Sequence, residues 1–534
     1  MAPRVARARL LSARLPHPGL IAAAVIVALL LAALVGLSSA GGGAGSTASL
    51  FPSAYLRGVA RGAALQAGLS TLLSLLLGTA LALALTRRGT FPGRSLIMVV
   101  ITAATVAPTL VIIFGVIAIF GRSGPVPVFA GQMGLALPPI YGLHGIVLAH
   151  VVMNAPLVAR VMLGAMAATP AEHSRLGQML RFSSLDCFRH FDWPVIQREW
   201  PGLATFIFLL CFTSFAVVLS LGGGPAYATL EVAIYQALRL DVDFARAASI
   251  ALFQITLSLG IVLAFSLLGA RLPDTGGHIA ARPRPDANSR WLKVFDVLAI
   301  GLAVLLIAPV VLSVVTGIGQ LHSLANRQVL DAAITSMVLS ALAAVMAVSL
   351  ALLLASAAEA AADGLRNPHR ARLLDLAVLA ILGLPPFALV TGLFVLLRGH
   401  VSLASAGLVL VPLVNALMAL PFVYRLIAPP LRQSAERHGR LSASLGLDGF
   451  ARLRIVAWPV LKRPLAAALA LSGALSMGDF GVIALFGGGD LITLPYLMAE
   501  RMAAYRIDEA GAVALVLVTV AVSLTFIADR ASDA

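Results

Sequence analysis

The chain has 534 residues, of which 60% are hydrophobic and only 11% charged, and its mean hydropathy is +0.97. A soluble domain carries about 25% charged residues, so a water-soluble fold of this size would lack the charge to coat it. The net charge of +15 comes from 38 Lys+Arg against 23 Asp+Glu. These basic residues fall in small groups between apolar runs, which argues against a nucleic-acid face and for loops beside anionic lipid and cytoplasm.

Residues 1–18 supply four arginines ahead of an apolar run at 19–37. A cleaved signal peptide has a core of only about 7–15 residues, so a retained first span is expected. Further apolar runs at 59–86, 95–120, 140–165, 200–222 and 246–269 predict five more helices. The most polar break, RLPDTGGHIAARPRPDANSRW at 271–291, is punctuated by Pro and Gly and predicts a linker. Runs at 292–316, 329–357, 373–397, 401–428, 464–486 and 511–529 then complete twelve helices. Helices are required because hydrocarbon offers no partner for an unpaired backbone group, and a span takes about 20 residues. With residue 1 inside, 27 basic residues lie on the inner side and 9 on the outer, with Arg160 and Arg425 in helices. That bias places both termini in the cytoplasm of a multi-pass inner-membrane protein.

The two halves repeat each other at an offset of 265 residues. Pro156-Leu-Val-Ala-Arg160 aligns with Pro421-Phe-Val-Tyr-Arg425, and Phe191-Asp-Trp193-Pro194 with Val456-Ala-Trp458-Pro459. Ser214-Phe215 through Gly222-Gly-Gly224 falls on Asp479-Phe480 through Gly487-Gly-Gly489. Six helices separate each element from its copy, an even number, so the repeat is parallel and its axis lies along the membrane normal. Such a duplication places a pathway between the halves.

Each half also carries a long inner loop, at about 166–199 and 429–463. Gly446 suits a helix C-cap at positive φ, and Arg181 holds its place in the first copy. Pro194 and Pro459 are expected to end a short helix before the next span. In spacing these loops resemble the "EAA" loop of ABC importer permeases. The acidic residue is missing, since the triplet falls on Arg175-Leu176-Gly177 and Arg440-Leu441-Ser442, and tryptophan replaces leucine before each proline. In that family the loop docks on a separate ATP-binding subunit. The resemblance therefore assigns coupling to Leu176, Arg181, Phe191, Trp193 and Pro194, and to Leu441, Gly446, Val456, Trp458 and Pro459. Over nearly its whole length the chain resembles fused, two-half permeases of thiamine and thiamine pyrophosphate ABC importers, in YGLHGIVLAHVVMNAPLVAR and LKRPLAAALALSGALSMGDFGVIALFGGGD among other stretches. Fused permeases for ferric iron share the plan.

The resemblance implies an all-α integral membrane protein of about 12 transmembrane helices, as two tandem six-helix type I ABC importer permease halves. Residues 1–58 would hold the cytoplasmic N-terminus, first helix and outer loop, and 59–269 the first ABC transmembrane type-1 domain. The linker and seventh helix would take 270–328, the second such domain 329–529, and a cytoplasmic C-terminus 530–534. It also implies two ABC ATPase subunits on the cytoplasmic face, an extracytoplasmic substrate-binding protein and no nucleic acid. No cofactor or metal is expected on this chain; ATP and Mg2+ belong to the partner ATPase.

No phosphate loop, serine-hydrolase elbow or zinc-protease string occurs, and two cysteines cannot build a disulfide framework. A membrane-embedded enzyme therefore lacks its chemistry. A secondary transporter would need a relay of ionisable groups, yet Asp479 stands nearly alone in mid-span. Asp479 is read either as a cation-attracting pathway residue or as a gate or packing residue bonded to a neighbouring helix. Phe215 and Phe480, beside the glycine runs, either close a pore or sit at ordinary helix ends. His144, His150 and Asn154 are expected to make interhelical polar contacts, and Asp243 and Asp508 to favour helix N-termini.

Overall fold

The computed structural model describes residues 18–40, 53–169, 171–267, 284–321, 326–364, 381–447, 449–487 and 491–533, together with 324, 374 and 378. Among these residues the chain is helical and no β-strand occurs. The first half runs through α1 (Pro18–Ala40), α2 (Ala54–Arg87), α3 (Arg94–Val106), α4 (Thr109–Phe120), α5 (Leu143–Ala167), α6 (Trp193–Phe212), α7 (Ala216–Leu221), α8 (Leu230–Tyr235) and α9 (Phe244–Leu267). The second contains α10 (Arg290–Ile318), α11 (Arg327–Gly364), α12 (Pro386–Leu397), α13 (Leu403–Ser444), α14 (Trp458–Met477), α15 (Gly481–Phe486), α16 (Leu494–Ala503) and α17 (Ile507–Asp533). Eleven helices among the described residues are long and apolar enough to cross a membrane. The run predicted at 373–397 lies partly outside the described residues, and α12 is its main described part.

The elements themselves repeat at the offset of 265. Two π-helical turns, Phe188–Asp192 and Leu453–Ala457, lead into α6 and α14, and α7 and α15 follow at the same spacing. Three predicted helices are broken. The run at 95–120 divides at Ala107-Pro108, because proline offers no N–H and pushes the preceding residue out of the helical region. The runs at 200–222 and 464–486 stop at Phe212 and Met477, and restart one short turn later. Pro194 and Pro459 do not end an element as expected; they sit in the first turns of α6 and α14. The Trp193 N–H reaches back to the Phe188 carbonyl in the π register, so the helix passes the missing proline donor without a stop. The second inner loop also differs, since α13 continues through it as far as Ser444.

Each half lends its first helix to the other. Helix α1 packs against α11 and α12 beyond its contact with α9, and α10 packs against α2 and α4 beyond its contact with α17. The contacts are backbone-close: a Cβ on Gly36 would strike the Gly392 carbonyl, and one on Gly115 the Pro309 carbonyl. At the end that carries the long loops, ion pairs bind α10 and the chain before it to the first half. Arg87 and Arg88 both grip the buried Asp296, and Arg284 binds Asp192 and Asp286. In the second half, Arg452 pairs with Glu359 at 2.5 Å and ties the long loop to α11.

Candidate functional site

The breaks after α6 and α14 are what build the site. Each leaves a phenylalanine, Phe215 or Phe480, at the head of a short helix, turned into the interface. The two rings stack with centroids 5.8 Å apart and an interplanar angle of 26°. Residues at equivalent places in two halves can meet only near the axis that relates the halves. The pair therefore marks the pseudo-twofold axis. Phe387, at the start of α12, lies 4.3 Å from Phe215 centroid to centroid, and Tyr235 of α8 lies 5.2 Å from it. All three phenylalanines are buried, so together with Tyr235 they form an aromatic plug between the halves. The expectation for Phe215 and Phe480 singled out two members; Phe387 carried no flanking polar or glycine signal.

Asp479 does not lie in mid-helix as the apolar run suggested. It occupies the break before Phe480, and its carboxylate accepts from the backbone N–H groups of Gly481 and Val482 at 3.1 and 3.2 Å. It thereby satisfies donors that α15 leaves open at its N-terminus. A small cavity beside it is lined by Ser336, Asn415, Ser476, Asp479 and Thr493 together with apolar side chains such as Leu339 and Val411, with Asn415 donating to Ser476 at 3.0 Å. The first half answers with a different set: His150 lies 2.9 Å from Ser214 and 3.3 Å from Ser70. His150 is thus an interhelical contact, and Asn154 reaches Cys211 at 3.5 Å. His144 instead bonds locally to the Pro139 carbonyl at 2.5 Å. Asp243 caps α9 through the Arg246 N–H at 2.9 Å, and Cys187 and Cys211 are buried free thiols. Among the described residues no group of His, Cys, Asp or Glu could hold a metal ion.

The long loops present apolar side chains to solvent in register. Leu176 and Leu441, Leu180 and Leu445, and Trp193 and Trp458 are all exposed, each pair separated by the repeat offset. Met179, Leu185 and Ile455 extend these faces; they were not foreseen, although the amphipathic spacing of 176–185 carries the signal. Phe191 does not join the exposed face: it is partly covered and stacks on Phe182 at 5.7 Å. Its ring lies so close to Gly177 that a Cβ there would approach it to 2.8 Å. Pro194 and Pro459 lie on the exposed side of the first helical turn and Val456 is half-buried. Arg181 and Gly446 both adopt positive φ, at 50° and 66°, closing equivalent turns. The following N–H groups, of Phe182 and Leu447, bond to the carbonyls of Gly177 and Ser442 at 2.9 Å. This is the Schellman pattern, and glycine is favoured there but not required.

An exposed apolar set repeated on both halves is a surface that a partner could cover. A duplicated helical bundle with an aromatic plug on its axis and an equivalent apolar face on each half is the architecture of a membrane permease. The comparisons with known proteins agree. Residues 357–534 match the family described as binding-protein-dependent transport system inner membrane component. The chain is 40% identical over 522 residues to the thiamine transport system permease protein ThiP of Brucella melitensis, covering 97% of this chain and 95% of that one. Its counterpart in Escherichia coli is 38% identical over 440 residues, 81% of each chain, and that of Salmonella typhimurium 37% over 513 residues, 95% of each. The chain belongs to the family of thiamine transport system permeases. It is a multi-pass inner-membrane protein, and since its relatives are transport permeases it is a non-catalytic membrane subunit.

Proposed function

We propose that this chain forms the pathway by which an ATP-driven importer carries thiamine and thiamine pyrophosphate across the inner membrane, with both termini in the cytoplasm. The stacking of Phe215 on Phe480 carries this reading, because a plug on the axis between duplicated halves is where such a pathway must close. Two ATPase subunits dock on the paired faces, one against Leu176, Arg181 and Trp193, the other against Leu441, Gly446 and Trp458. They use ATP and Mg2+; this chain binds neither. A substrate-binding protein delivers the solute from the opposite side. The cores at 59–269 and 329–529 then alternate between two openings, and ATP can drive this only by binding one state better than the other. Asp479 stands beside the plug as a pathway residue.

Uptake of labelled thiamine is measured in cells with and without the gene, with ferric iron and a polyamine as controls, and with the proton gradient collapsed while ATP is maintained. Gene-dependent thiamine uptake that survives the collapse supports the reading. Uptake of ferric iron instead would reassign the solute, and loss of uptake with the gradient would indicate secondary transport.

A further inference from the structure

A carboxyl group buried without a cation beside it is costly, and its retention calls for a reason. Glu231 on α8 is fully buried and makes no ion pair among the described residues. Its two oxygens accept from different elements. Gln254 Nε2 on α9 donates to Oε1 at 3.0 Å, and the backbone N–H of Phe387, at the start of α12, donates to Oε2 at 3.2 Å. The second bond crosses from one half to the other. It ends on the residue whose ring packs against Phe215 in the plug.

Further polar atoms lie on the same two helices, Ser258 one turn beyond Gln254 on α9 and Thr391 one turn beyond Phe387 on α12. Gln254 Oε1, Ser258 Oγ and Thr391 Oγ1 are buried on α9 and α12 and have no hydrogen-bond partner among the described residues. Buried polar atoms are nearly always bonded, so three orphans on the two helices that hold Glu231 form a seam able to receive polar groups from elsewhere. The seam has no twin. With the helix-capping residues Thr229 and Thr493 superposed, Glu231 falls on Pro495, and at the offset of 265 it falls on Tyr496. A symmetric pair of halves that carries one solute at a time needs one such seam and no second.

We propose that Glu231, with Gln254, Ser258 and Thr391, is the cation-recognition subsite of the pathway, which receives a positively charged heteroaromatic solute when the plug parts. Parting the halves breaks the bond from Phe387 and leaves the carboxylate beside the freed faces of Phe215 and Phe387. Carboxylate and ring faces together suit a planar organic cation. The subsite rests on the transport reading given above, and it adds the residue that would select for positive charge.

The test uses the complete importer, permease with its ATPase and binding protein, in proteoliposomes. Glu231→Gln keeps size and hydrogen-bonding capacity: its carbonyl oxygen accepts from Phe387, and its amide can donate to a flipped Gln254. Thiamine moved per ATP hydrolysed should fall at least about tenfold, as expected when a nearby charge is removed from a poorly solvated site. ATP hydrolysis stimulated by the loaded binding protein should stay near wild type, and Glu231→Asp should recover much of the loss. Wild-type coupling in Glu231→Gln would overturn the subsite alone. Equal losses of hydrolysis and transport in both variants would assign Glu231 a purely structural role and also overturn it. A wild-type complex that moves no thiamine would overturn the transport reading and the subsite together.

Discussion

Arg284 holds both carboxylate oxygens of Asp192, at 2.7 and 2.9 Å, across 92 residues of sequence. Arg284 belongs to the chain just before α10, and Asp192 to the π-helical turn of the first long loop. Burial alone would lower the Arg284 pKa, but its bonds to Asp192 and Asp286 hold it above the ordinary arginine value. The first long loop is therefore fastened to the segment that joins the two halves.

Breaking that pair should be expensive. Asp192→Asn leaves the buried guanidinium with Asp286 as its one charged partner, so the loss should fall below the roughly 3 kcal/mol that a fully unpaired buried charge costs, and above about 1 kcal/mol. Thermal unfolding of the purified protein in detergent should show a clear drop. The control is Arg198→Gln, which cuts an exposed pair with Glu199 worth about 1 kcal/mol at most. Equal shifts for the two variants would refute a structural role for the Asp192 contact.

The plug makes a prediction about both stability and leak. Phe480→Ala should destabilise by about 3 kcal/mol, the usual cost of truncating a buried ring. Because Phe215 and Phe480 touch, the double alanine variant should cost less than the two single losses combined. Liposomes holding either variant should also pass small solutes without ATP or binding protein. A tight double variant would sink the gate assignment of this pair.

The two loop turns should respond oppositely to the same kind of change. Arg181 holds a left-handed conformation that a side chain disfavours, so Arg181→Gly should stabilise by about 1 kcal/mol. Gly446→Ala should lose about 1 kcal/mol for the same reason. No atom lies within 4 Å of the place a Cβ on Gly446 would take, so the effect would be conformational with no steric share. Denaturation midpoints of both variants check the signs.

Docking is tested on the exposed apolar pairs. Leu176→Glu with Leu441→Glu should abolish recovery of the ATPase subunit with the permease in a pull-down from membranes, with insertion unchanged. Trp458→Ala should weaken recovery several-fold, since exposed aromatics commonly anchor an interface. Full recovery with the double glutamate variant would move the docking site elsewhere.

Much of the architecture was written in the apolar runs, because in lipid a stretch of about 20 such residues has no alternative to a helix. The register between halves was equally open to reading, and it led directly to Phe215 and Phe480. What escaped was tertiary. The breaks after α6 and α14 fall on Thr213-Ser214 and Gly478-Asp479, polar interruptions too short to end an apolar run, and Asp479 was placed within a helix when it caps the start of one. Glu231 lay in a segment counted as outer loop, although one carboxyl amid LEVAIY was a readable oddity. Phe387 gained its place only through the packing of α12 against Phe215 and Glu231 across the interface between halves.

That exchange has a bearing on how the protein is made. Helix α1 must wait for α12, whose residues are synthesised roughly 350 positions later; at about 5–20 residues per second the interval is on the order of 20–70 s. Through that time the face of α1 that α12 will cover stays open to lipid. Its composition suits the delay: no charged residue lies within Pro18–Ala40, and among the described residues it is the most apolar span. Helix α10 finds α2 and α4 already in place when it emerges, and only its contact with α17 must wait. The order of synthesis thus asks more of one helix than of its twin, and the sequence answers with a segment at home in bare lipid.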